Sequence, residues 1–371
     1  MTRLFTPHKL GALTLANRIV IAPMCQYSAH DGNMTDWHLI HLGQLSFSGA
    51  GMLIVEATAV EAIGRITPAD VGLYSDDNQA AIARVLKAVR AHSRMPIAVQ
   101  LAHAGRKASS HVPWAGGQAI TEAEGGWETV APSALPQAPG DPVPLALDTA
   151  GLARVKAAFV AAAVRSQALG FDAIELHGAH GYLLHEFMSP IANRRDDDYG
   201  GTVENRIRFP LEVYDAVRAA VPASMPVGMR ISADDWVEGG WDVEQSCVLA
   251  EALAARGCAF IHVSSGGVSP KQKIPLAPGY QVPLAERIKQ VAGDMPVIAV
   301  GLITEPQQAE DIVASDQADF VGLARAMLFE PHWPWRAAME LGAQVEVPPQ
   351  YWRSQPRTAK ALFGEARIGS R

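Results

Sequence analysis

The chain has 371 residues, 49% hydrophobic and 19% charged, a composition that supports a sizeable core and argues against disorder. A formal net charge of −7 with no long basic run speaks against a nucleic-acid surface. Three cysteines (Cys25, Cys247, Cys258) cannot build a disulfide framework, residues 1–7 lack a signal-like apolar run, and no apolar stretch reaches membrane-spanning length. The expectation is a soluble, cytoplasmic protein without a nucleic-acid or membrane partner.

Along the chain, residues 10–15 read first as a small hairpin plugging the base of whatever follows. Eight short β-rich or wholly apolar runs then recur at 19–24, 51–57, 97–102, 171–176, 227–232, 260–265, 296–301 and 318–324. Apolar character on both faces fits parallel strands covered by helices. Amphipathic helices are predicted between them, as at 79–91, 151–169 and 242–256, with Gly170 and Gly257 where C-caps belong. Eight strand–helix units without a composition break predict an α/β fold, a (β/α)8 TIM barrel forming a single domain over 1–371, with 348–371 leaving as a tail. A doubly wound sheet competes, but no G-x-G-x-x-G follows the first strand. Long loops at 103–144, after strand three, and 181–208, after strand four, are expected to cap a site.

In a barrel the C-terminal strand ends share one mouth. They supply Ala22-Pro23-Met24-Cys25, Ala57-Thr58, Gln100 with His103, His177, Arg230, Ser264-Ser265-Gly266-Gly267, Val300-Gly301 and Ala324-Arg325. Glycine turns and Arg325 after strands seven and eight match a phosphate cradle. Gln100 can pair with an amide-like ring edge, and Arg230 can hold an anionic ring atom. A flat, phosphorylated cofactor fits this set, and flavin mononucleotide fits best. Strand four runs into His177-Gly178-Ala179-His180-Gly181-Tyr182. A turn at Gly178 and Gly181 would bring two imidazoles and a phenol to one mouth, suiting a carbonyl that gains a hydride and then a proton.

Four segments carry a family resemblance: Ala22-Pro23-Met24-Cys25-Gln26-Tyr27, residues 100–107 (QLAHAGRK), residues 177–183 (HGAHGYL), and Asn193-Arg194-Arg195 with residues 198–201 (DYGG) and Glu204-Asn205-Arg206. From about Leu4 to Arg357 the chain resembles the old yellow enzyme family of flavin-dependent ene-reductases, in its xenobiotic-reductase-like bacterial branch. The resemblance implies FMN as cofactor and NADPH, or NADH, as reductant. It implies that His177 and His180 bind the oxygen of an enone, enal, maleimide or nitro substrate, and that Tyr182 protonates Cα. Ala22, Pro23, Met24, Cys25, Ala57, Gln100, Arg230, Gly301, Ala324 and Arg325 would hold the flavin, with Cys25 tuning its potential. Tyr27 would close the substrate pocket. Relatives commonly read Gly-Arg where this chain has Ala324-Arg325. Arg353 would reach into a neighbouring subunit's site, implying a homodimer or a dimer of dimers.

Two rivals stand beside this. His103, His177 and His180 could form a three-histidine zinc site in a metal-dependent barrel hydrolase, although Gln100, Arg230 and Arg325 make a cationic mouth. A non-catalytic flavin store would not need the His-His-Tyr triplet. Plainer readings are expected elsewhere. His38 and His41 belong to a packed or solvated helix face, Asp196–Asp198 to loop structure, Trp333–Trp335 to packing of the last helix, and Cys247 and Cys258 to packing.

Overall fold

The computed structural model describes residues 2–364. His8–Leu10 (β1) and Leu13–Leu15 (β2) form the antiparallel hairpin, turned at Gly11 with φ 58°. The chain continues through Ile19–Ile21 (β3), Asp36–Ser46 (α1), Met52–Ala59 (β4), Asp76–Arg90 (α2) and Ile97–Ala102 (β5). Val130–Ala131 (β6) and Leu145–Ala146 (β7) pair within the long loop, before Thr149–Leu169 (α3) and Ala173–Gly178 (β8). Leu183–Met188 (α4), Val203–Ala220 (α5), Val227–Ser232 (β9), Val243–Ala254 (α6), Ile261–Ser264 (β10) and Val282–Lys289 (α7) follow. The last elements are Val297–Val300 (β11), Pro306–Ala314 (α8), Phe320–Leu323 (β12), Arg325–Phe329 (α9) and Trp333–Glu340 (α10). β3, β4, β5 and β8–β12 close into a parallel eight-stranded barrel, with β12 returning to β3. No helix among the described residues is long and apolar enough to cross a membrane.

Alternation along each strand sorts side chains into a face toward the helices and a face toward the axis. At the base the axis is filled by Val20, Met52, Ile54, Ala98, Ala173, Phe260, Ile298 and Phe320, and the hairpin seats Leu10 and Leu15 onto them. Both leucines are fully buried, which contributes about 2 kcal/mol each. Two residues further along β5, β8, β9 and β10 the axis turns polar, with Gln100, Glu175, Arg230 and His262, all buried. One more step reaches the mouth at Ala102, His177, Ser232 and Ser264. On β4 a bulge shifts the register between Val55 and Ala57, so Ala57 pairs with Gln100 and shares its axial face. The displaced Glu56 accepts a hydrogen bond from the Gln26 N–H (2.9 Å) and lies 3.4 Å from His38 Nε2.

Several expectations need correction. β3 ends at Ile21, because Pro23 has no N–H to extend the ladder. β8 runs on to Gly178, so the turn falls later, at His180 (φ 60°) and Gly181 (φ 75°). The region 181–208 is not all loop: it holds α4 and the start of α5, whose Thr202 cap accepts from the Asn205 N–H. The described part of the tail, 348–364, does not leave the barrel, and 365–371 lie outside the described residues. Leu362 and Phe363 pack with Ala338, Val345 and Val347, and the Val345 N–H donates to Leu362 O at 2.9 Å.

Candidate active site

The end of β8 supplies the chemistry-bearing groups. The Ala179 N–H donates to His177 Nδ1 at 3.3 Å, which places the ring proton on Nε2 and leaves that N–H free as a donor. The His177 ring stands edge-on to His180 (centroids 5.2 Å apart) and to Tyr182 (4.9 Å). His180 reaches this position through a left-handed backbone that its surroundings hold firmly. Its N–H donates to Ser232 Oγ at 2.9 Å, and Ser232 Oγ donates in turn to Gly266 O at 2.8 Å. Lys107 Nζ donates to His180 O (2.7 Å) and to Gly267 O (3.0 Å), tying the β8 and β10 loops together. The loops touch so closely that a Cβ on Gly181 would lie 2.2 Å from Gly267 O.

Burial, and next the positive charge of Arg230, holds His177 and His180 well below the ordinary imidazole range, so both are neutral at neutral pH. Burial likewise drives Tyr182 well above the usual phenol range, reinforced by nearby Cys25 and Tyr27, so it keeps its proton. The mouth thus holds two neutral imidazoles and a protonated phenol. Burial raises the Cys25 thiol well above its ordinary range. Cys25 is therefore a thiol, not a nucleophilic thiolate.

Arg230 shows that the mouth is built for a ligand. It is only 7% exposed, its guanidinium makes no hydrogen bond among the described residues, and its buried Nε is left without a partner there. A buried guanidinium left this way is costly unless an acceptor arrives. Beside it opens a cavity of about 200 Å³ lined by His180, Arg230, Ser264, Gly301, Gly322, Ala324 and Arg325, among others. Gly301 has φ 123°, where a Cβ would come 2.5 Å from the Gln281 amide. Ala324 has φ −109°, so nothing in its backbone requires the glycine common in relatives. Arg325 is exposed at the rim. Gln100 gives one Nε2 proton to Glu175 (2.7 Å) and keeps its carbonyl and second N–H for a ligand. Ala22 anchors to β12 through its N–H to Leu323 O (3.0 Å), and Pro23, Met24, Cys25 and Tyr27 follow, half-buried, with Ala57 on the next strand. Flat ring edge, anion and phosphate each find a suitable partner here, so the residues fit a flavin mononucleotide.

Other candidates lie elsewhere. His103 accepts the Gly105 N–H on Nδ1 (3.1 Å) and faces Glu61 through Nε2 (3.2 Å), so neither nitrogen is available beside His177 and His180. No group of three or more His, Cys, Asp or Glu among the described residues is arranged to hold a metal. Exposed Arg353 follows Trp352, which lines a crevice of about 470 Å³ formed with residues preceding β3, β4 and β5. That is the base of the barrel, the end away from His177. Asn193, Arg195 and Arg206 act as scaffold: Asn193 Nδ2 donates to Phe187 O and Tyr199 O (both 2.7 Å), and Arg195 to Pro132 O (2.9 Å) and Leu147 O (2.6 Å). Arg206 donates to Met188 O and, at 2.6 Å, to Gln245 Oε1. His38 caps α1 by accepting the Thr35 N–H at 3.0 Å. Asp197 pairs with Arg195, and Trp333 is buried. Sequence reasoning missed Glu175, His262, Ser232 and Gln281. The one available signal was a charged residue in mid-strand.

Residues 3–344 match the profile of the NADH:flavin oxidoreductase / NADH oxidase family. The chain is 44% identical over 363 residues to an NADH:flavin oxidoreductase of Gibberella zeae, covering 93% of this chain and 87% of the relative. It is 43% identical over 354 residues to NADPH dehydrogenase of Geobacillus thermodenitrificans, covering 95% and 98%. Among solved structures, morphinone reductase in complex with tetrahydroNAD matches with a TM-score of 0.74 at 30% identity, covering 93% of this chain and 92% of that one. The chain therefore belongs to the NADH:flavin oxidoreductase / NADH oxidase family, in the old yellow enzyme group, and is an NADPH-dependent flavin oxidoreductase on a TIM barrel.

Proposed function

We propose that this enzyme is an ene-reductase, reducing the activated C=C bond of α,β-unsaturated carbonyl or nitro compounds in alternating half-reactions. The observation that carries the reading is the convergence of two neutral imidazoles and a protonated phenol beside the unpartnered guanidinium of Arg230. When bound, FMN would supply hydride transfer between NADPH and the substrate's Cβ. His177 Nε2–H and an N–H of His180 bind the carbonyl or nitro oxygen and stabilise the negative charge that gathers there. Tyr182 delivers its proton to Cα. Tyr27 bounds the opposite side of the substrate, edge-on to Trp114 (centroids 5.7 Å).

Gln100, Arg230, Gly301, Ala324 and Arg325 hold the cofactor with Ala22, Pro23, Met24, Cys25 and Ala57, and Cys25 tunes its potential. The whole chain acts as one FMN-binding barrel. Arg353 of a second copy completes the site in a homodimer or a dimer of dimers. The three free cysteines suit a reducing cytoplasm. The test is direct: the purified protein is yellow, bleaches with NADPH, and regains its colour with cyclohexenone. Bleaching without recovery on cyclohexenone, maleimide or a nitroalkene overturns the proposal.

A further inference from the structure

Below the mouth, the barrel interior carries a carboxylate that the chemistry just described does not use. Glu175 is fully buried on β8, two residues before His177 and on the same face. An ion there costs several kcal/mol unless donors surround it. Glu175 has two. Oε1 accepts from Gln100 Nε2 at 2.7 Å, and Oε2 lies 2.8 Å from His262 Nδ1, also fully buried. Glu175 can only accept, so His262 carries its proton on Nδ1 and presents a bare Nε2. That Nε2 has no partner among the described residues and faces Gly322, where a Cβ would lie 2.9 Å away. Burial pushes His262 below its ordinary range, so the imidazole orients the carboxylate without cancelling its charge. Arg230, in register with His262 on the next strand, is the nearby cation. Among the described residues no ion pair within 4.0 Å joins it to Glu175, so the two charges act at longer range.

We infer that Glu175 is a positioning residue for the flavin, fixing the amide of Gln100 and, through its charge beneath the mouth, lowering the cofactor's redox potential. The inference rests on the reading of Gln100 and Arg230 as flavin-holding residues. With one amide proton spent on Glu175, Gln100 meets the cofactor in one orientation. The carboxylate also offsets part of the field of Arg230. A ring that gains negative charge on reduction is harder to reduce above such an anion.

The test is spectroelectrochemical titration of the FMN-loaded enzyme. Glu175→Gln keeps the shape, removes the charge, and lets the two amides reorient to satisfy each other and His262. It is expected to retain FMN while the affinity for reduced over oxidised cofactor rises at least tenfold, a shift of about +30 mV for a two-electron couple. An unchanged or lower potential overturns the inference. Should Glu175→Gln fail to fold, the exchange variant Glu175→Gln/Gln100→Glu keeps the total charge and moves the carboxylate to the position read as touching the cofactor. Its potential is expected to fall below that of the native protein, and no change overturns the inference. A native protein that takes up no FMN refutes instead the reading on which this one rests.

Discussion

His180 Nε2 and Ser264 Oγ stand 2.8 Å apart, whereas the same hydroxyl is 3.4 Å from Gln281 Oε1, which already accepts from Ser265 Oγ at 2.6 Å. Giving the Ser264 proton to the shorter contact leaves the imidazole proton on Nδ1 as the free donor. The two histidines thus reach complementary tautomers by different routes, His177 through its own loop's Ala179 N–H and His180 through β10.

Ser264→Ala removes that control. Loss of one neutral hydrogen bond is worth about 1 kcal/mol, so the Kd for a substituted phenol is expected to rise about fivefold. Titration of the flavin absorption band measures it. An unchanged Kd means that something else sets the tautomer.

His177→Ala deletes one of the two donors proposed to bind the substrate oxygen. Reoxidation of the reduced enzyme by cyclohexenone is expected to slow ~10²–10³-fold in stopped flow, with FMN content unchanged. Unaltered single-turnover reoxidation contradicts the role given to this imidazole.

Tyr182→Phe leaves the edge-on packing against His177 and removes the proton. The alkene half-reaction is expected to slow by up to ~10², water supplying the remainder, while reduction by NADPH changes less. Equal slowing of both half-reactions rules out proton donation.

The two imidazoles also set a pH dependence. Because the folded state holds both imidazoles below their ordinary range, phenol binding is expected to stay level from pH 8 to about 6.5. Below that the unfolded chain binds protons that the folded chain refuses, so stability falls as the pH drops. Thermal melts between about pH 6.5 and 5 should show a shallower decline for His177→Asn than for the native chain.

Backbone sign at the turn separates two substitutions. Asn tolerates the left-handed region, so His180→Asn is expected to fold normally. Gly181→Ala meets both φ 75° and Gly267 O, and is expected to lose more than about 1 kcal/mol in denaturant melts.

The barrel was legible because its eight strands are short, largely apolar runs at regular intervals, and Gly170, at φ 78°, stops α3 where the pattern ends. The His177–Tyr182 cluster was legible because three polar groups follow one apolar run. Less visible was anything that depends on a neighbour. Glu175 looks like a stray charge until β5 and β10 bring Gln100 and His262 to it. The Glu56 bulge needs the register of β5, and the turn at His180 is imposed by Ser232, Lys107 and Gly267 from three other segments. The tail's path was hidden as well, since its few apolar residues find their partners only on the assembled base.

Leu10 and Leu15 precede every strand of the barrel, yet the surface they rest on includes Phe260, Ile298 and Phe320. The contacts with these three cannot all form until β12 has been made, which gives the molecule a large share of slow, long-separation pairings. A nascent chain paused before β12 would hold these leucines in water, a condition in which chaperone capture competes with self-association.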